Sequence, residues 1–219
     1  MPTPEDVIAA WADITPWVQS TLPGLAQQQS LPNESQDAGD IGACNGLNMP
    51  GSTAIWGSDG DATITLTSLK IASMAGVQSQ TATSVDGTTM HLPLSFSQLE
   101  IAGNYGYAQP CALYDMGKKT STTTTNGSGT LTQTFNNSSL YYVATLADTV
   151  TLNSVVVNGS PTVAVHPDTG GMPAWMAAIG NFFSSFHEAD ALRTNVQNIF
   201  LTADFSQTMI GLLNNQIGS

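Results

Sequence analysis

The sequence predicts an α+β protein in which a strongly curled antiparallel β-meander lies against N-terminal and C-terminal helices. Residues 61–166 alternate apolar and polar with the period of two that strands have, whereas both ends of the chain place apolar residues at helical spacing. Two strand segments also share one pattern, LTSLKIASMAGV from residue 66 and FSQLEIAGNYGY from residue 96. Each changes phase once, which predicts a bulge and therefore a twisted sheet that curls.

The length and composition favour a single domain, which we predict to span residues 1–219. A chain of 219 residues, 41% of them hydrophobic, is long enough to bury a sizeable core. Within it we assign an N-terminal helix to 1–21, an irregular connection to 22–60, the antiparallel sheet to 61–166 and helices to 172–217.

The charge balance argues against two classes of partner. The chain has four Lys and Arg residues against sixteen Asp and Glu, a formal net charge of −12. Nucleic-acid binding needs clustered basic residues to neutralise phosphates, and docking on anionic lipid needs them as well. We therefore expect no nucleic-acid partner, and no apolar run is long enough to predict a transmembrane segment.

The first helix is predicted from its cap and its apolar stripe. Thr3 is a suitable N-cap and Pro4 suits the first helical position, while Pro16 is expected to kink or shorten the end. The stripe has helical spacing and consists of Val7, Trp11, Ile14 and Val18. The segment 22–60 that follows is predicted to be a long irregular connection, either ordered over the surface or partly mobile.

Turns are predicted inside the sheet wherever glycine, asparagine and serine cluster, at 127–129, 136–139 and 158–161. Strands at hairpin spacing between them indicate an antiparallel meander.

At the C-terminal end, three apolar stripes at helical spacing predict helices. The first stripe comprises Trp175, Ile179, Phe182, Phe183 and Phe186, the second Leu192, Val196, Ile199 and Phe200, and the third Phe205, Met209, Leu212, Leu213 and Ile217.

No set of residues in the sequence predicts catalysis, a metal site or a cofactor. His91, His166 and His187 are scattered and lack the paired spacing of a zinc-binding helix. The stretch 59–61 has the Asp-Gly-Asp start of a calcium loop but not its remaining ligands, so a plain turn is favoured. We therefore expect a protein that is not an enzyme.

The two cysteines and the N-terminus leave the compartment open. Cys44 and Cys111 fit either a disulfide or two free thiols. The N-terminal sequence lacks the basic and apolar regions of a signal peptide. We expect a cytoplasmic protein, one released by a route without a cleaved signal, or a trimmed chain.

The threonine-rich tract 118–135 has two interpretations. One is a solvated β-hairpin with its tip at 126–129. The other is the amphipathic hairpin of a pore-forming toxin, although Leu131 and Phe135 give it a short apolar face.

Several of these segments resemble the TULIP superfamily of lipid-binding proteins. Leu99, Ile101, Gly103 and Tyr105 match its strand motif L-x-I-x-G-x-Y, and the glycines at 127 and 129 match a Gly-x-Gly turn that accompanies a long twisted hairpin. The resemblance covers roughly residues 60–217 and does not account for the connection before them. It implies a curled sheet around a long helix, with an elongated apolar cavity. The missing signal peptide is more typical of the bacterial branch, whose members occur in toxin gene clusters.

The leading hypothesis is non-enzymatic binding of a lipid or another hydrophobic small molecule between the curled sheet and the helices. Candidate lining residues, some of which we expect to be plain core, are Leu94, Phe96, Leu99, Ile101, Tyr105, Phe135, Tyr142, Trp175, Phe182 and Phe186. One alternative is an accessory protein of a bacterial toxin or secretion system, with a filled core and a protein partner. A second is a β-pore-forming toxin that inserts the hairpin 118–146.

Overall fold

The structure is a computed structural model and describes residues 2–168 and 187–218. The chain begins with helices α1 (Pro4–Asp13) and α2 (Thr15–Ala26). Thr3 caps α1, and its hydroxyl accepts a hydrogen bond from the Asp6 N–H at 3.3 Å. The single helix predicted over 1–21 is therefore two helices that meet at Ile14. Pro16 lies in the first turn of α2 and explains the break, because proline has no N–H to continue the hydrogen bonds of the helix before it.

In the described residues, nine strands and two further α-helices follow. The strands are β1 (Glu34–Asp37), β2 (Ile55–Ser58), β3 (Thr63–Ala75), β4 (Gln78–Ser79), β5 (Thr83–Ser84), β6 (Thr89–Asp115), β7 (Lys118–Leu146), β8 (Val150–Asn158) and β9 (Thr162–Pro167). A 3₁₀ helix spans Ala43–Leu47, and the C-terminal helices are α3 (His187–Thr202) and α4 (Asp204–Ile217).

All nine strands belong to one antiparallel sheet built on the hairpin of β6 and β7. The hairpin runs from the pair Thr89–Thr145 to the pair Asp115–Lys118, and its turn is Met116–Gly117, where both residues have positive φ. Strands β2, β3, β4 and β5 pair with the free edge of β6, while β8 and β9 pair with that of β7. The predicted α+β class with an antiparallel sheet is confirmed.

The predicted turns at 127–129 and 136–139 are wrong, and the turn at 158–161 is confirmed. Both wrong predictions lie inside β7, a continuous strand of 29 residues. The segment 118–146 is therefore one arm of the long hairpin, paired with β6, and the inserting hairpin predicted for a toxin does not exist as such. The third turn separates β8 from β9, where Gly159 has φ 103°.

The bulge predicted in β3 is present. The register between β3 and β6 shifts after Thr67 and again after Ile71, and Ser68 has a φ of 54°. The phase change predicted in β6 has a different form. Ser97 and the opposing Asn137 are both exposed, yet the register on either side of them is unchanged. The alternation of buried and exposed residues therefore shifts in both strands at the same pair, which bends the hairpin without an inserted residue.

The connection 22–60 is ordered and attached to the far half of β6. Strand β1 pairs with β3 and β2 pairs with β6, and a disulfide joins Cys44 to Cys111 with their Cα atoms 5.6 Å apart. Gln109, which is fully buried beside this disulfide, accepts a hydrogen bond from the Ala43 N–H at 3.0 Å. Its amide nitrogen donates to Asp40 Oδ1 at 2.7 Å and to Ser58 Oγ at 3.0 Å, so three parts of the fold meet at one side chain.

The sheet curls far enough for both of its outer edges to reach helix α3. Asn195 donates a hydrogen bond to Glu34 on β1, the outermost strand on one side. Two residues earlier, Arg193 Nη2 donates to the Gly159 carbonyl at 2.9 Å, directly after β8 on the other side. Helix α4 packs against α1, α2 and β8. No helix in the described part of the chain is both long and apolar enough to cross a membrane.

Candidate functional site

Seven of the ten predicted lining residues share the core face of the β6–β7 hairpin. Each is between 0% and 2% exposed, and the register places Leu99 directly opposite Phe135. The seven are Leu94, Phe96, Leu99, Ile101, Tyr105, Phe135 and Tyr142. The other three, Trp175, Phe182 and Phe186, lie outside the described residues. That these residues line a ligand cavity stays a prediction.

The Gly-x-Gly element of β7 seats two tyrosine rings of β6. Tyr105 is paired with Gly129, and Tyr107 with Gly127. A Cβ atom at Gly129 would lie 2.7 Å from Tyr105 Cε1, and one at Gly127 would lie 2.7 Å from Tyr107 Cζ. Each ring thus covers its glycine across the strands, an arrangement that side chains larger than hydrogen would prevent. The glycines at first attributed to a turn leave the space that these rings occupy.

Gln133 is a buried polar residue on this face, and the sequence analysis missed it. It lies on β7 between the buried Leu131 and Phe135, and its register partner is Ile101. The residue is 0% exposed, and among the described residues neither its amide nitrogen nor its amide oxygen has a hydrogen-bond partner. Such groups are rare in folded proteins. The signal in the sequence is a glutamine at an apolar position of the alternation Leu-Thr-Gln-Thr-Phe.

An open groove lies where the start of β8 meets the corner between α3 and α4. Its volume is about 580 Å³, and Val150, Leu152, Leu201 and Ile210 give it an apolar lining. Polar side chains complete it; they are Thr151, Thr202 and Gln207. None of its lining residues is ionisable, so the groove offers apolar contact and a few hydrogen bonds rather than charge.

Hydrogen bonds hold the two sides of the groove together. The Asn214 side chain on α4 accepts from the Val150 N–H at 2.7 Å and donates to the Val150 carbonyl at 3.0 Å. At the helix corner, Ser206 donates to the Phe200 carbonyl and lies 3.4 Å from the Tyr142 hydroxyl. The groove is therefore a fixed feature of the fold, anchored at β8 and at the corner.

The sequence analysis also missed this groove, for a recognisable reason. Leu201 and Ile210 are apolar residues that fall outside the helical stripes assigned to the core. At the junction of β8, α3 and α4, Leu201 is half-buried and Ile210 is 8% exposed. An apolar side chain outside a complete core stripe indicates a second apolar contact, because the stripe alone already accounts for the buried face of the helix.

Burial shifts the pKa values of two groups on the inside of the fold. Burial raises the pKa of the Tyr142 hydroxyl strongly, and the nearby Ser206 hydroxyl opposes this only in part. Burial also raises the pKa of the Glu34 carboxyl at the contact with α3. In the described contacts, Tyr142 lies beside the Ser206 hydroxyl and Glu34 accepts a hydrogen bond from the Asn195 amide.

His91 and His166 are not brought together. His91 stacks on Tyr141 with ring centroids 4.7 Å apart, and His166 is exposed on β9. Across the described ranges, no cluster of three or more His, Cys, Asp or Glu side chains suits a metal ion.

No protein-family model and no curated protein matches this sequence. Two solved structures are similar. The crystal structure of lipopolysaccharide binding protein matches at 13% identity and a TM-score of 0.45, over 97% of this chain and 41% of that one. The crystal structure of Takeout 1 from Epiphyas postvittana matches at 11% identity and a TM-score of 0.38, over 96% and 86% of the two chains. This chain thus spans about two fifths of the first protein. Its own architecture, a curled antiparallel sheet against terminal helices, is the one that the TULIP resemblance implies.

Proposed function

We propose that this chain binds a lipid or another hydrophobic small molecule between its curled sheet and its helices, without chemical change to the ligand. The observation that carries the proposal is the groove of about 580 Å³ at the seam of β8, α3 and α4. That volume lies in the range of small-molecule sites, which are typically apolar with a few polar groups at the rim. The lining residues of the groove have this composition.

The energetics favour a ligand with an alkyl chain. Burying one methylene contributes about 0.8 kcal/mol, so a chain that buries about ten gains about 8 kcal/mol before the cost of ordering it. The groove has no charged lining residue, and the protein carries a net charge of −12. Apolar contact is therefore the expected source of affinity, and attraction to an anionic head group is not.

The test is native mass spectrometry of the purified protein after incubation with mixed fatty acids and phospholipids. We expect a stoichiometric excess mass that denaturation releases as lipid. Leu201→Gln removes apolar contact from the groove and should lower occupancy about fivefold, equivalent to about 1 kcal/mol.

The matched control is Val85→Gln, which removes an apolar side chain that is 59% exposed on the loop before β6. It should leave lipid occupancy within twofold of wild type. A bare protein mass after incubation would refute lipid binding, and an equal loss in both variants would place the ligand away from the groove.

A further inference from the structure

Exposed apolar side chains gather where the β6–β7 hairpin turns. Five large apolar residues in the described part of the chain are exposed, and four of them lie here. They are Met116 in the turn, which is 92% exposed, Tyr114 at the end of β6, Ile55 on β2 and Met49 in the connection. Together these four residues form the hairpin tip. An exposed apolar cluster of this kind marks an interaction site, whereas a single exposed apolar residue needs no explanation.

Strand pairing and hydrogen bonds hold the hairpin tip in place. Ile55 and Tyr114 are register partners and therefore point to the same side of the sheet. The Asn48 side chain accepts a hydrogen bond from the Trp56 N–H at 2.6 Å and donates to the Trp56 carbonyl at 3.2 Å. These bonds tie Met49, the next residue, to β2. The backbone that carries the exposed side chains is therefore fixed before any partner arrives.

Met116 occupies a backbone conformation that a methionine does not favour. Its φ is 46° and that of Gly117 is 77°, as in the two-residue hairpin turns that prefer asparagine followed by glycine. Positive φ is unfavourable for a long side chain, and the exposed Met116 side chain gains no burial within the chain in return. Residues held in unfavourable conformations cluster at functional sites. A binding role accounts for methionine at this position.

The hairpin tip is electrically balanced in a strongly acidic chain. Lys118 lies opposite Asp115 in the hairpin register, and Lys119 Nζ lies 2.6 Å from Asp59 Oδ2. Two of the four basic residues are therefore here, and the formal net charge of −12 belongs to the rest of the chain. A surface with zwitterionic head groups can meet this tip without burying an unpaired charge. An anionic surface would be repelled by the rest of the molecule.

The size of the hairpin tip favours a lipid surface over a folded protein as the partner. A stable protein interface takes about 20–30 residues on each side, and the tip offers four exposed apolar residues around one turn. A membrane needs no complementary shape, because each apolar side chain that enters it gains free energy by its own burial. Tyrosine is also well suited to the boundary between head groups and acyl chains.

We propose that the hairpin tip docks reversibly on a membrane of zwitterionic lipid, with its methionine and isoleucine side chains among the upper acyl chains and Tyr114 at the level of the head groups. This inference goes beyond the proposed function, because docking does not need a ligand in the groove. The two places lie at opposite ends of β7, with the tip before Lys118 and the groove beyond Leu146. Substitutions at one should leave the other unchanged.

The experiment is flotation of the protein with extruded phosphatidylcholine vesicles. Met116→Asn gives the turn its preferred residue, so it should raise the urea midpoint of unfolding and yet weaken vesicle binding about tenfold. Ile55→Thr keeps a β-branched residue in β2 and should weaken binding about fivefold. Val85→Thr is the matched control and should stay within twofold of wild type, because Val85 is 59% exposed, as Ile55 is, but lies before β6 at the other end of the hairpin.

Two further comparisons separate the tip from charge and from the groove. Added salt should leave binding to phosphatidylcholine unchanged, because screening acts on charges, and replacing part of this lipid by phosphatidylserine should weaken binding. The groove variant Leu201→Gln should float with the vesicles as wild type does. If Leu201→Gln lost vesicle binding while Met116→Asn kept it, attachment would depend on the groove, and the inference would fail with the proposed function intact.

Trp56, which follows Ile55 on β2, reports the place of contact in a folded protein with an unaltered tip. Brominated phosphatidylcholine should quench the part of the tryptophan fluorescence that Trp56→Phe removes. Vesicles that leave the wild type in solution, or that bind it without quenching Trp56, would overturn the inference. A wild-type dimer that Met116→Asn dissociates would overturn it as well, because the hairpin tip would then join two copies of the chain.

Discussion

The tyrosine rings over Gly127 and Gly129 show how single residues shape the long hairpin. Both glycines lie within β7, where glycine normally weakens a strand because it has no side chain to pack. Here the rings of Tyr107 and Tyr105 occupy the space that those side chains would fill. Burial raises the pKa of both tyrosine hydroxyls, and for Tyr105 the Asp168 carboxylate adds to the rise, so both rings stay neutral at ordinary pH.

This packing predicts opposite effects for one substitution at two sites. Gly129→Ala places a Cβ against the His166 carbonyl on β9 and within 2.7 Å of the Tyr105 ring, and should lower the free energy of unfolding by about 1–3 kcal/mol. Gly24→Ala in α2 meets no atom within 4 Å and should raise it by up to about 1 kcal/mol, since alanine favours helix. Urea unfolding of both variants is the measurement, and a neutral Gly129→Ala would contradict the packing.

At the scale of elements, the sequence predicts what depends on local periodicity. The stripe of α1, the bulge of β3 and the alternation of Leu99 and Ile101 each follow from spacing along one segment. The length of β7 could not be predicted, because its glycines and asparagines have turn propensity and only pairing with β6 overrides it. The same holds for the candidate site. Seven of the predicted lining residues lie on the core face of the β6–β7 hairpin, whereas the groove depends on how β8 meets α3 and α4.

One covalent bond joins the connection 22–60 to the sheet. The Cys44–Cys111 disulfide closes a loop of 67 residues, and by chain entropy such a crosslink stabilises a fold by about 4 kcal/mol. The paired substitution Cys44→Ala with Cys111→Ala should lower the free energy of unfolding by up to this amount. Hydrogen exchange should rise in β1 and β2, and much less in β8.

The control for this prediction is a reducing agent added to wild type, which should reproduce the double variant and leave the variant itself unchanged. Equal unfolding curves with and without reductant would show that the bond contributes nothing. Disulfides persist mainly in oxidising compartments, so among the localisations expected from the sequence the bond favours release over a reducing cytoplasm.

At the scale of the whole molecule, helix α3 contacts both outer edges of the curled sheet within one turn. Asn195 contacts Glu34 on β1, and Arg193 contacts Gly159 after β8. A sheet held at both edges encloses a space that a flat sheet would leave open to solvent. The contact at Glu34 is the more sensitive of the two to pH, because burial raises the pKa of its carboxyl above the ordinary value of about 4.5.

A raised carboxyl pKa means that the folded chain holds this proton more tightly than the unfolded chain does. Its stabilising contribution is therefore present below about pH 4.5 and is lost as the pH rises through the folded pKa. Glu34→Gln keeps an acceptor for Asn195 and cannot ionise. We expect its free energy of unfolding to exceed that of wild type at pH 7, with the difference disappearing near pH 4.

Asn195→Ala tests the contact between α3 and β1 independently of the charge at Glu34. It removes the donor and should destabilise the fold at both pH values, with faster hydrogen exchange in β1, while Asn198→Ala on the exposed side of the same helix should not. If Glu34→Gln gave no gain at pH 7, the carboxylate would be solvated in the folded state. Equal exchange in β1 for both asparagine variants would mean that pairing with β3 alone holds that edge, and that the sheet curls through its bulges without help from α3.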